Sequence, residues 1–453
     1  MTSTLPQNEA ITFKRILGIA FPIILSTLAQ NVIALADTIF LGNLGEVELG
    51  AAALASVFYQ VLVMVVFGFG VGAQIVMARR VGQGKNHQVG HIFQHTLWFT
   101  LFCAAGCWTA FQLWGGRLLP FLVRTPEILQ AVTGYMEIRI YGVPFAFSIA
   151  AFNAFYVGIA RTRSISIATI IMGAVNVALD YGLVFGKAGL PEMGMRGAAL
   201  ASVIAEAVGL SCYLLLTAWS RYKEIYRPFG RFPFKASLIG NLIGVSYPVM
   251  IQYFLSFANY FLFFIFIESL GQRALAVSNI TRSMYVLFLL PVWGFSSTTA
   301  TLTSWLCGKN RAGEIPVLVK KACVLALLFV SVIVLAYLPF KVSVLGIFTN
   351  DPQLALESLS PCMVAVTATY IMVFAQIVFN TILGRGNTKA GFFIELINMV
   401  VYFLYGWLVI YIGQCSVEVA FGAEIAYTAG LLLFSVIYIV WQRKSGKQRI
   451  RQF

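Results

Sequence analysis

The chain of 453 residues is 59% apolar and only 11% charged, with apolar runs of twenty or more residues recurring from end to end; this is the composition of an all-α polytopic membrane protein and excludes a separate soluble domain. The formal net charge of +14 does not imply a nucleic-acid partner, because the basic residues fall in alternate loops and at the termini. Of 31 Lys and Arg, 23 lie on one side of the expected topology, 6 on the other and 2 (Arg139 and Arg282) within helices, so the positive-inside rule makes the first side cytoplasmic.

Hydropathy predicts twelve helices, at about 16–41, 51–78, 92–114, 134–159, 165–186, 197–219, 238–267, 274–305, 319–345, 357–383, 390–412 and 420–441. The first apolar run exceeds signal-peptide length and has no small-residue cleavage site, so it stays as the first helix. An even number of spans puts both termini in the cytoplasm. The seven cysteines form no Cys-x-x-Cys pair and lie mostly in apolar helices, which argues against a disulfide framework and a thiolate metal site.

An internal repeat organises these elements. Pro22 pairs with Pro248, Leu44-Gly45 with Leu270-Gly271, Pro126 with Pro352, and Gly158-x-x-x-Thr162-Arg163 with Gly384-x-x-x-Thr388-Lys389, all at an offset of 226, while Gly84-Lys-Asn86 pairs with Gly308-Lys-Asn310 at 224. Six helices per copy keep the copies parallel, related by an axis along the membrane normal around a central cavity. The expected organisation is an N-lobe at 1–219, a cytoplasmic linker at 220–237, a C-lobe at 238–441 and a basic cytoplasmic tail at 442–453.

Within the N-lobe, Asn176 and Asp180 are one helical turn apart and share a face. A carboxylate in lipid is costly unless it meets a partner or a water-filled cavity, and such residues usually mark ion pathways. Asp37 shares a face of the first helix with Ser26 and Gln30, and Pro22 removes a backbone hydrogen bond at which that helix can bend. At ~1.5 Å rise per residue, Asp37, Asp180 and Ser202 each lie roughly 6–9 Å from the outer ends of their helices, with Glu206 one turn deeper than Ser202. One shared depth suits a site better than separate helix-joining hydrogen bonds. The oxygen-only set Asp37, Asn176, Asp180 and Ser202 suits H⁺ or Na⁺ rather than a transition metal, and implies no cofactor.

In the repeat, Asp37 corresponds to Phe263 and Asp180 to Tyr402, which confines the expected cation site to the N-lobe. The C-lobe offers an aromatic wall of Tyr247, Tyr260, Phe263, Phe288 and Tyr402, a lining that attracts organic cations. Together with Gln30 and Glu206 these residues make the expected substrate cavity. Arg282 reads as a buried charge satisfied by Glu268 or outer headgroups, Glu395 and Glu424 as near-interface residues, and Glu137 with Arg139 as a local pair. His87, His91 and His95, stacked at a spacing of four, read as an interfacial stripe, since no carboxylate in sequence completes a metal shell. No phosphate-binding loop and no nucleophile with its base is present, so neither ATP drive in cis nor an enzyme is indicated.

Four segments carry a family resemblance: Ala36-Asp-Thr-Ile-Phe-Leu-Gly42-Asn-Leu-Gly45, Val81-Gly-Gln-Gly84, Asn176-Val-Ala-Leu-Asp180-Tyr-Gly-Leu-Val-Phe-Gly186, and Leu190-Pro-Glu-Met-Gly-Met-Arg-Gly197-Ala-Ala-Leu-Ala-Ser202. In this order, within a two-times-six framework, the chain resembles the MATE (multidrug and toxic compound extrusion) family of the MOP flippase superfamily along nearly its whole length. The resemblance implies two lobes that alternate inward and outward openings and export amphiphilic, often cationic compounds against H⁺ or Na⁺. It implies an ion site at Asp37, Asn176, Asp180 and, in place of a threonine, Ser202, a bend at Pro22 and a cavity-facing Asn153. The NorM-like branch carries acids in the seventh and tenth helices; here none lies between Glu224 and Glu268, and the tenth helix has only Glu357 at its outer end, which favours a first-lobe-coupled branch.

The reading is thus a multi-pass antiporter of a bacterial cytoplasmic membrane, monomeric, acting on small organic cations. A flippase for lipid-linked saccharides, which needs a cationic cavity, and an ion channel, which needs a polar path through both lobes, are the alternatives.

Overall fold

A computed structural model describes residues 10–123, 125–349 and 351–445. The end of the expected basic tail and the side chain of Tyr260 lie outside the described residues. Twelve helices among them are long and apolar enough to cross a membrane: α1 (Phe13–Gly42), α2 (Glu46–Gly82), α3 (Asn86–Phe121), α4 (Pro126–Gly158), α5 (Arg163–Phe185), α6 (Gly194–Ala218), α7 (Ala236–Glu268), α8 (Gln272–Gly308), α9 (Ala312–Leu345), α10 (Pro352–Gly384), α11 (Thr388–Ile412) and α12 (Val417–Lys444). Several run well past their apolar windows because polar flanks complete their ends. In α2, Glu46 and Glu48 occupy the first turn and Arg79 and Arg80 the last, each sign matching the helix dipole. All seven cysteines are free.

Two local irregularities bear on the sites. The ladder of α4 tightens to a 3₁₀ turn at Ile140–Gly142, just before Pro144, whose missing N–H cannot serve the Ile140 carbonyl. The last stretch of α11, Gly406–Ile412, widens to a π-helical turn. The paired Leu44-Gly45 and Leu270-Gly271 turns both open the long second helix of their repeat, with Gly45 at φ 157° and Gly271 at φ 101°, a region that residues with a Cβ rarely enter.

The chain forms two compact units, one of residues up to Ile24 together with Ile251 onward, the other Leu25–Met250. Helices α1 and α7 therefore each pass from one unit to the other just beyond their internal prolines, Pro22 and Pro248. In both, the carbonyl that loses its donor belongs to a glycine four residues earlier, Gly18 and Gly244. Glycines of the second helices accept the exchanged segments. A Cβ on Gly294 of α8 would lie 2.4 Å from Ile24 Cγ1, and one on Gly68 of α2 would lie 2.7 Å from Met250 Cα. One turn from Gly68, a Cβ on Gly72 would fall 2.0 Å from Ser246 Oγ and 2.7 Å from Ser246 Cα. This is small-residue packing of the kind that joins helices in membranes. Gly72→Ala is expected to destabilise by about 1–3 kcal/mol through overpacking, read as a lowered thermal midpoint in detergent; an unchanged midpoint would show that α7 can retreat without loss.

The linker after α6 is held in the second of these units by α3. Gln94 Nε2 donates to the Gly230 carbonyl, His91 Nε2 lies 3.2 Å from the Pro233 carbonyl, and the Lys235 amide donates to His95 Nε2 at 2.9 Å. Phe232 and Phe234 stack on His91 and His95. Of the three expected stripe residues, His91 and His95 thus clamp the linker, His95 fully buried, while His87 is exposed.

Candidate cation site

The site is built where α5 and α6 pack most closely. A Cβ on Gly197 of α6 would meet the Leu183 carbonyl of α5 at 2.5 Å, so only glycine lets the two helices approach. That contact places Asn176 beside Ser202, with Nδ2 and Oγ 3.5 Å apart. Asp180 is fully buried and Asn176 is 2% exposed. Asp37 of α1, half-buried, brings its carboxyl within hydrogen-bonding reach of Asp180. The four residues that the sequence grouped into one cation site do come together in one compact unit.

Their electrostatics leave the two carboxyls unmatched. Asp37 Oδ1, both oxygens of Asp180 and Asn176 Oδ1 are buried and have no hydrogen-bond donor. Two carboxylates about 4 Å apart repel by about 4 kcal/mol at an effective dielectric constant of about 20, and neither can donate to the other unless one carries a proton. The pair therefore needs a shared proton or a cation, and the converging donor-free oxygens, all hard ligands, fit H⁺ or Na⁺. Among the described residues no cluster of three or more His, Cys, Asp or Glu could hold a transition metal.

Beside the pair lies a second charged group that spacing alone did not reveal. Arg139 does not pair with Glu137; its Nη1 and Nη2 grip Glu206 at 2.8 and 2.5 Å, and its guanidinium lies 3.8 Å from the ring centre of Tyr59. Tyr59 donates to the same carboxylate at 3.3 Å. The charge of Arg139 reaches Asp37 electrostatically, yet it is already matched by Glu206. Both oxygens of Glu206, expected in the substrate cavity, are engaged in this pair.

The remaining expected cavity residues separate. Gln30 is exposed, while Asn153 accepts a 2.6 Å hydrogen bond from the Tyr213 hydroxyl. Tyr247, expected in the C-lobe wall, falls instead in the Leu25–Met250 unit. Phe263 and Phe288 are fully buried and Tyr402 is 3% exposed. Phe263 packs on Tyr402, Phe421 and Arg282, and Phe288 packs on Tyr337, so these rings form core and not an open wall. Arg282 pairs with Glu424 at 3.0 Å, not with Glu268, and Tyr402 donates to the same carboxylate. Glu395 and Glu424, expected near the interface, are 1% and 5% exposed and each accepts a hydrogen bond from a tyrosine hydroxyl.

Comparison with known proteins fits this arrangement. The MatE family model matches the chain twice, at residues 22–182 and 248–408; both ends are displaced by the 226 residues of the internal repeat, and the two matches cover more than half of the chain. The chain belongs to the MatE family. A MatE relative from Thermotoga maritima, described as a probable multidrug resistance protein NorM, is 25% identical over 99% of this chain and 97% of its own length. A solved multidrug resistance MATE family transporter of the MOP superfamily in an outward-facing conformation superposes with a TM-score of 0.85 at 16% identity, over 97% of each chain. A MOP superfamily transporter from Pyrococcus furiosus, reported with a binding pocket of reverse polarity, also gives 0.85 at 16% identity over both full lengths. At such identities the structural likeness speaks for the MatE fold alone.

Proposed function

We propose that the protein is a secondary antiporter of a bacterial cytoplasmic membrane, both termini inside, that expels amphiphilic organic cations in exchange for H⁺ or Na⁺. The observation that carries this reading is the facing Asp37–Asp180 pair: Asp180 is fully buried, Asp37 half-buried, and three of their four carboxyl oxygens are buried without a donor. With the ion bound, the pair carries one negative charge instead of two and is more stable in apolar surroundings; with the ion released, it offers a second negative charge to a cationic cargo. Ion and cargo thus bind the same two-state protein with opposite preferences, which is the thermodynamic content of antiport. The names of its relatives, multidrug resistance proteins, support a cargo of small molecules.

We place the coupling in the first repeat, the mark of a first-lobe-coupled branch. Glu357, the acid of α10, is half-exposed and bridged to Arg273 at 2.7 Å, so it is committed to a surface ion pair. The flippase alternative loses its candidate cavity cation, because Arg282 is tied to Glu424. The test is efflux of a fluorescent lipophilic cation from proteoliposomes under an imposed H⁺ gradient and, separately, an imposed Na⁺ gradient. Flux driven by one gradient is expected and names the ion; absence of flux under both, from folded protein, would overturn the reading.

A further inference from the structure

Beyond the first and last turns of the membrane-spanning helices, five carboxylates stand buried or half-buried among the described residues, and they divide by partner. Glu206 is held by Arg139 and Glu424 by Arg282, so each is fixed as half of an ion pair. Asp37 and Asp180 face each other. The fifth, Glu395 of α11, is 1% exposed and receives two neutral donors, the Tyr427 hydroxyl of α12 at 2.5 Å and the Ser256 hydroxyl of α7 at 3.1 Å. Among the described residues no Lys or Arg contacts it. From α7 it meets Ser256 and Tyr253, from α12 Tyr427 with Glu424 beyond it, and along α11 the buried Asn398. On the α10 side the neighbours of Gly391, one turn away, are Phe379 and Leu383.

A buried carboxylate without a cation is strongly unfavourable as an anion. Here two hydroxyls donate to it, which supports the charged form in part, and binding a proton removes the rest of the penalty. The shell does not suit a metal ion, because both hydroxyls are used as donors to the carboxylate and Glu424, beyond Tyr427, is committed to Arg282. We propose that Glu395 is a second proton-binding site, carried by the second compact unit and independent of the Asp37–Asp180 pair. It lies seven residues, about 10 Å, from the basic Arg385–Lys389 end of its helix, a different depth from Asp37 and Asp180 in theirs.

The test is infrared spectroscopy of the purified full chain in lipid nanodiscs, following the carbonyl band of protonated carboxyls as pH is varied. A titrating component is expected that disappears in Glu395→Gln and survives in the Asp37→Asn/Asp180→Asn double variant. This readout needs no transport, so loss of the Asp37–Asp180 component would count against the proposed antiport without touching Glu395. A titration identical in wild type and Glu395→Gln would overturn the inference, as would a Glu395 component that never titrates. Should Glu395→Gln not fold, Tyr427→Phe removes the shorter of the two donors, and the Glu395 component should then persist to a pH about one unit higher; an unmoved component would again overturn it.

Discussion

Asp37→Asn is expected to lower gradient-driven efflux at least tenfold while leaving the protein folded. The amide keeps the size of the carboxyl and can donate to Asp180, so packing is preserved, but the pair can no longer alternate between a singly and a doubly charged state. The variant also lacks the repulsion between two facing carboxylates. Its thermal midpoint should therefore equal or exceed that of the wild type, most visibly at alkaline pH where both carboxyls of the wild type are ionised, and the gap should close on acidification as protons neutralise the pair. Efflux assays and thermal melts across pH on one preparation check both halves. Undiminished gradient-driven efflux from Asp37→Asn would remove this residue from the coupling mechanism.

The largest stability effect is expected at Arg139. Arg139→Met keeps the apolar stem but leaves the Glu206 carboxylate buried with only Tyr59 as donor, and stranding one member of a buried ion pair costs about 3–5 kcal/mol. The double variant Arg139→Met/Glu206→Met removes both charges and should recover most of that loss, since buried ion pairs are often no more stabilising than apolar residues of similar volume. Thermal or denaturant midpoints of the two variants measure this directly. If the single variant is as stable as wild type, Glu206 has water or another donor that the present contacts do not include.

Much of this was legible in the sequence because lipid imposes simple rules. Twelve apolar runs had to become helices, since backbone groups in a bilayer must be paired within the segment, and the 226-residue offset reappears in the placement of the family match and in the glycines Gly68 and Gly294 that receive the exchanged halves of α7 and α1. Asp37, Asn176 and Asp180 stood out because a carboxylate in such a segment needs a reason. Partner choice was not legible, because it depends on how helices rotate against each other. Arg139 and Glu206 are separated by 67 residues and Arg282 and Glu424 by 142, whereas Glu137, two residues from Arg139, points away from it on the helix surface. Hydropathy also cannot tell a cavity wall from a core, so Phe263, Phe288 and Tyr402 read alike in either role until their burial was seen. The histidine stripe gained its meaning only when the linker was found folded back on α3.

The central claim is that ion and cargo exclude one another at Asp37 and Asp180, and the measurement that tests it most directly is equilibrium binding of a fluorescent lipophilic cation to the purified protein. Affinity should be highest at alkaline pH without Na⁺, fall by tenfold or more when the coupling ion is supplied by acidification or by added Na⁺, and become insensitive to that ion in Asp37→Asn. Binding of the dye that is equally tight at every pH and Na⁺ concentration in the wild type would contradict the account.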